Sequence, residues 1–99
     1  MPTLVFAKFA INDHIGYSRY VALATPIFMR EKVIIHASDK NPQALSPDMQ
    51  ADKVVLLEFR DHSHFEHFFS LVDYIEAAKI RDAASTISAT VFERFEMPK

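Results

Sequence analysis

The chain has 99 residues, a net charge of −2 and 49% hydrophobic residues, nine of them Phe. That length suits one domain spanning residues 1–99, with enough apolar material for a core and some left over for a partner. Scattered Lys and Arg argue against a nucleic-acid partner, the absence of Cys excludes a disulfide framework or thiolate chemistry, and a single Gly excludes a glycine-rich phosphate loop. The first residues, MPTLVFAKFAIND, lack the basic and long apolar regions of a signal peptide, and no apolar run approaches the roughly 18 residues of a membrane span. A cytoplasmic protein with no membrane partner is expected.

In chain order, Thr3–Ile11 reads as a strand, dense in β-branched and aromatic residues. Asp13 is a good helix N-cap, and Tyr17, Tyr20, Val21, Ala24 and Phe28 recur at helical spacing. Pro26 should kink this helix or end its regular part near Thr25. Residues 32–37 read as a short strand, and residues 38–52, polar with two prolines, as a long loop. Lys53–Phe59 is a buried strand. Ser63 and Glu66 have capping-box spacing. The helix they would open carries Phe65, Phe68, Phe69, Val72, Ile75, Ala78 and Ile80 to about residue 84, with a break near residues 71–73. Residues 86–95 form the last strand.

The order βαββαβ gives a ferredoxin-like α+β fold: a four-stranded antiparallel sheet, order 4-1-3-2, with both helices on one face. Strand parity separates the two faces. Odd positions (Val5, Ala7, Phe9, Val33, Ile35, Val55, Leu57, Phe59, Ile87, Ala89, Val91, Phe95) are almost wholly apolar and should lie under the helices. Even positions (Leu4, Phe6, Lys8, Ile34, His36, Val54, Leu56, Glu58, Ser88, Thr90, Phe92, Arg94) are mixed, too apolar for open water. A face of that kind marks an interface. A second copy packing sheet on sheet would cover it and enclose a partly polar cavity.

These residues resemble the domain-of-unknown-function family 1330, within the dimeric α+β-barrel superfamily. The likeness rests on Asp13, Tyr17 and Tyr20 followed by VALATP. It rests also on VVLLEF, the Phe68–Phe69 pair, Tyr74, Ala77, Arg81 and the closing VFE. The chain departs from that pattern in FMREKVIIHASD, which has no glycine, and in Leu71-Val72-Asp73-Tyr74, where a Ser-Pro-Glu-Tyr turn is usual. The resemblance implies a homodimer with a barrel-like interface, and no established reaction.

Several constellations carry chemistry, each beside a plainer reading. Lys8, His36 and Glu58 share the even face. Enclosed there, His36 is a candidate general base and Glu58 its orienter or an acid, with Lys8 neutralising Glu58; the plainer reading is an interface salt-bridge cluster. Phe6, Leu56 and Phe92 would hold an apolar body, with Thr90 as a hydrogen-bond donor. Tyr74 and Arg81, two helical turns apart, share one helix face and suit an anionic group at a pocket mouth, or else simple helix packing. His62, His64 and His67 could approach a metal or haem, yet read equally as a solvated helix start; no metal or other cofactor is expected. Pro2, as an N-terminal amine, resembles the catalytic proline of tautomerases, a minor alternative. The sequence thus favours a cofactor-free enzyme or binder of a small apolar, oxygenated molecule, with a non-catalytic structural or regulatory dimer as the competing class.

Overall fold

The structure, a computed structural model, describes residues 1–98. Strand β1 is Thr3–Ile11, helix α1 His14–Arg30, β2 Ile34–Asp39, β3 Lys53–Phe59, α2 His62–Ser70, α3 Val72–Ala84 and β4 Ser85–Glu93; a 3-10 turn, Pro47–Met49, lies between β2 and β3. The strands form one antiparallel sheet in the order β2-β3-β1-β4. This is the ferredoxin-like arrangement expected. No helix among the described residues is long and apolar enough to cross a membrane.

Parity holds in the central strands. In β1, Thr3, Val5, Ala7 and Phe9 are buried, while Leu4, Phe6 and Lys8 between them are half-buried. The odd side meets the helices across an aromatic core. Phe28 stacks on Phe68 at 5.0 Å, Phe68 lies 4.5 Å from Tyr74, and Phe59 is ringed by His64, Phe65, Phe68 and Phe69. The even side keeps its apolar residues in the open: Ile34 and Phe92 are exposed, and Phe6, Val54 and Leu56 are half-buried.

Local chemistry sets the element ends. The Asp13 carboxylate accepts from the Gly16 N–H at 3.0 Å, capping α1. A Cβ at position 16 would stand 2.7 Å from that carboxylate and 3.1 Å from Ala84 Cβ, which accounts for the lone glycine. Of the two outcomes expected at Pro26, a kink or an end to the helix, the end does not occur; the helix continues through it to Arg30. The turn beyond it buries Ile27 and Phe28, and that burial outweighs one lost backbone bond. The Thr25 hydroxyl donates to the Val21 carbonyl at 2.7 Å beside it. After α1, the N–H groups of Lys32 and Val33 return to the carbonyls of Met29 and Phe28, with Lys32 at φ 59°. This is the closing turn where glycine is usual. Because residues 32 and 33 close the helix, β2 starts two residues later than expected.

The cap of α2 is Asp61, which accepts from the His64 N–H at 2.8 Å, so Ser63 lies inside the helix and the Ser63–Glu66 box does not form its start. The expected break falls at Leu71, an extended residue that separates α2 from α3. The last strand begins at Ser85 and ends at Glu93, short of residue 95.

Candidate functional site

Helix α1 leans on α3 more than on the sheet. Between the sheet's odd face and the helices lies a cavity of about 420 Å³. Val5, Ala7, Phe9, Val55, Leu57 and Ile87 form its floor, the exposed Ala89 and Val91 on the edge strand its rim, and Tyr17, Tyr20, Ala24, Phe28, Phe65, Phe69 and Tyr74 its roof and wall. Its polar residues are the three tyrosines, Thr25, Ser38, Thr90 and two cations, Lys53 and Arg81; among the described residues no carboxylate lines it.

Those polar groups are ordered. Arg81 Nη1 donates to the Tyr74 hydroxyl at 3.0 Å, and the Tyr74 and Tyr20 hydroxyls are bonded at 2.8 Å. Arg81 also lies over the Tyr20 ring at 5.7 Å and donates to Asp82 at 3.1 Å. Lys53 stands over the Tyr17 ring, its Nζ 4.8 Å from the centroid. Burial, with Tyr20 close by, pushes the Tyr17 hydroxyl far above its ordinary value. Burial and the bond with Tyr20 do the same for Tyr74. Both therefore stay protonated near neutrality and act as hydrogen-bond donors rather than bases. Burial, reinforced by Lys40, lowers the Lys53 amine from its ordinary 10.5.

The even face holds a different cluster. A β-bulge in β2 between Ile35 and Ala37 follows the pair Ile34–Glu58. It leaves His36 Nε2 3.1 Å from Glu58 Oε1. The same carboxylate oxygen accepts from Arg94 Nη1 at 3.0 Å, and Arg94 also bonds Glu96 at 2.6 Å. The His36 hydrogen bond holds the Glu58 carboxyl below its ordinary 4.5, against burial and with help from Arg94.

The nominated residues therefore separate. His36 and Glu58 do meet, but on the face opposite the cavity. Lys8 does not neutralise Glu58: it pairs across the sheet with Val54, four residues along, and its amine donates to the Asp48 carbonyl. Arg94 takes the place expected of Lys8. Tyr74, Arg81 and Thr90 line the cavity, whereas Phe6, Leu56 and Phe92 do not. His64 is buried, its Nδ1 accepting from the Arg60 N–H at 3.0 Å and its Nε2 donating to the Glu31 carbonyl at 2.7 Å, so it ties α2 to the end of α1. His62 and His67 face Glu66 and Glu31. Among the described residues no group of three His, Cys, Asp or Glu is placed to hold a metal. The backbone carbonyl of Pro2 accepts from the Arg94 N–H at 3.0 Å.

Lys53, Tyr17 and Tyr20 were not singled out from the sequence as site residues. A signal for Lys53 was there: position 53 is odd, so parity places this lysine on the apolar face. The tyrosines carry no such signal, because their spacing is that of core positions and the Tyr20 hydroxyl meets that of Tyr74 only through the packing of α1 on α3.

The fold and the cavity define a ferredoxin-like protein with an internal small-molecule-sized space. A family model, "Domain of unknown function (DUF1330)", matches residues 2–95, and the chain belongs to that family. No curated protein matches the chain. Among solved structures, it is similar to RPA0582, a protein of unknown function from Rhodopseudomonas palustris. The identity is 17%, the TM-score 0.83, and 97% of this chain and 84% of that one are covered. It is similar to SnoaB, a cofactor-independent oxygenase from Streptomyces nogalater, at 14% identity and TM-score 0.69, over 97% of this chain and 95% of that one. A dimeric protein of unknown function with a ferredoxin-like fold from Bacteroides fragilis shares 10% identity at TM-score 0.65, over 94% and 96%. At these identities the likeness is one of fold.

Proposed function

We propose that this protein binds an apolar, oxygenated small molecule in the cavity between sheet and helices, and that it works as a homodimer joined through the open sheet face. The cavity carries the reading. Its volume of about 420 Å³ falls within the roughly 300–1,000 Å³ of small-molecule sites. Its apolar walls suit a ring system, and its few polar groups are donors and cations able to hold an oxygen that carries or develops negative charge. Cofactor-free chemistry of the kind named for SnoaB is the activity we propose for such a site.

A thermal-shift screen with aromatic and polyketide-like acids tests the binding claim. Stabilisation by one of them, lost in Ala89→Phe, is expected; Ala89 is exposed at the rim, so the larger ring fills the space without a core clash. No stabilisation by any of them would favour the competing class, a non-catalytic dimer. A second reading keeps His36 and Glu58 as the acid–base pair, because they are hydrogen-bonded and joined by Arg94. It requires a second copy to enclose them. Loss of turnover in His36→Gln, with ligand binding in the cavity intact, would support it.

A further inference from the structure

The Lys53 side chain is mostly covered, at 8% exposure, but its amine keeps contact with solvent, and among the described residues it makes no side-chain hydrogen bond and no ion pair. Its one close partner is the neutral face of Tyr17. Neighbouring Asp52 does not pair with it; that carboxylate accepts from the Ile11 N–H at 2.8 Å. A charge that is partly withdrawn from water and has no counter-charge gains from an anion brought beside it. Arg81, the other cation in the lining, differs: it is paired with Asp82 and bonded to Tyr74.

The position of Lys53 gives the vacancy meaning. A second cavity of about 290 Å³ shares Tyr17, Val21 and Lys53 with the first, and Lys40 and His14 stand in its wall with Asp52. Lys53 thus marks the junction of two spaces, with a second cation nearby. The main cavity is lined as well by Phe28, Phe65, Phe69 and Leu57. Its lining therefore offers apolar surface for a ring system beside the one charge that has no partner.

We infer that the ligand is an organic acid: an aromatic or otherwise apolar body lying among the phenylalanines, with one anionic group paired to Lys53 where the two cavities meet. This deepens the proposal that the cavity binds a small molecule and rests on it. The anion supplies the counter-charge that the chain does not. The Tyr17 and Tyr20 rings flank the same region and exclude water from the pair.

Two fluorescent probes with one skeleton test it. 1-Anilinonaphthalene-8-sulfonate carries a sulfonate, and N-phenyl-1-naphthylamine is the same arylamine without it. Lys53→Met keeps an unbranched side chain, one atom shorter, and removes its charge. It should weaken the sulfonate probe about tenfold or more, the scale of one charge-assisted contact, and leave the neutral probe within about twofold. Lys53→Arg should keep most of the sulfonate affinity. Equal weakening of both probes, or of neither, overturns the inference. On the wild-type protein, the Lys53 side-chain carbon resonances should move with the sulfonate probe and not with the neutral one. That measurement decides the matter even if Lys53→Met does not fold. Ala89→Phe separates the two levels of the argument. If it leaves both probes bound, they sit outside the cavity and the cavity reading falls, taking this one with it. If it expels both while Lys53→Met discriminates neither, the cavity stands and only the acid is wrong.

Discussion

The two faces of the sheet handle charge in opposite ways. On the open face, Glu58 is held between His36 and Arg94, and Arg94 is shared with Glu96, so each charge has a partner within the chain. On the helix face, Lys53 is buried without a carboxylate, in a cavity whose lining has none. Self-satisfied charge fixes geometry, which suits an interface. Unsatisfied buried charge beside empty space awaits a ligand. The residues most conspicuous in the sequence, a His and a Glu on one mixed face, belong to the first kind.

The contrast can be broken at several points. The largest effect should come from Phe68→Ala, which removes a fully buried ring from the helix-side core. A loss of about 3–5 kcal/mol is expected, read from the denaturation midpoint. Phe6→Ala on the open face should cost each chain far less, and equal losses would mean that the open face is as much a core as the other. Leu56→Asp should next separate the proposed dimer without unfolding the chain. Light scattering would then report 11.3 kDa instead of twice that value, with the circular-dichroism spectrum unchanged. An unchanged mass would show that this face is not the contact.

A smaller effect depends on pH. The Glu58 carboxyl titrates below its ordinary 4.5 in the folded chain because His36, and then Arg94, favour its ionised form. Its contribution to stability is therefore present above about pH 4.5 and is lost as pH falls through the folded value. Wild type and Glu58→Gln should differ in melting temperature at pH 7 and converge as the medium becomes strongly acidic. A constant difference across that range would remove the ion cluster as its cause. The smallest effect should be Lys32→Gly, which relieves the positive φ at the end of α1. A gain of about 0.5 kcal/mol is expected, since the entropy of glycine offsets part of the relief.

Much of the architecture was legible because strand parity and element order are local. Val5, Ala7 and Phe9 alternate with Leu4, Phe6 and Lys8 in the sequence as they do in space. Features set by long-range packing were not legible. Pro26 reads as a helix end, yet the burial of Ile27 and Phe28 carries the helix through it. The bulge at His36 depends on how a long loop returns β3 beside β2, which composition does not encode. The pairing of Glu58 with Arg94 rather than Lys8 follows from register: Leu4 and Phe92 flank it in line, whereas Lys8 stands four residues away. The candidate cavity was placed on the even face because that face looked mixed. A space on the other side arises only because α1 rests on α3 and stands off the sheet, a packing outcome with no local signature.

Small molecules are proposed to bind under the helices and not on the open sheet. A methyl-resolved NMR titration with 1-anilinonaphthalene-8-sulfonate separates the two, because methyls on the two faces are chemically distinct reporters. The methyls of Val55, Leu57, Ile87 and Ala89 should shift in a saturable way, while those of Leu4, Val54 and Leu56 stay in place. Saturable shifts at Leu4, Val54 and Leu56 with Val55 and Ile87 unmoved would contradict the account and return the site to the face of His36 and Glu58.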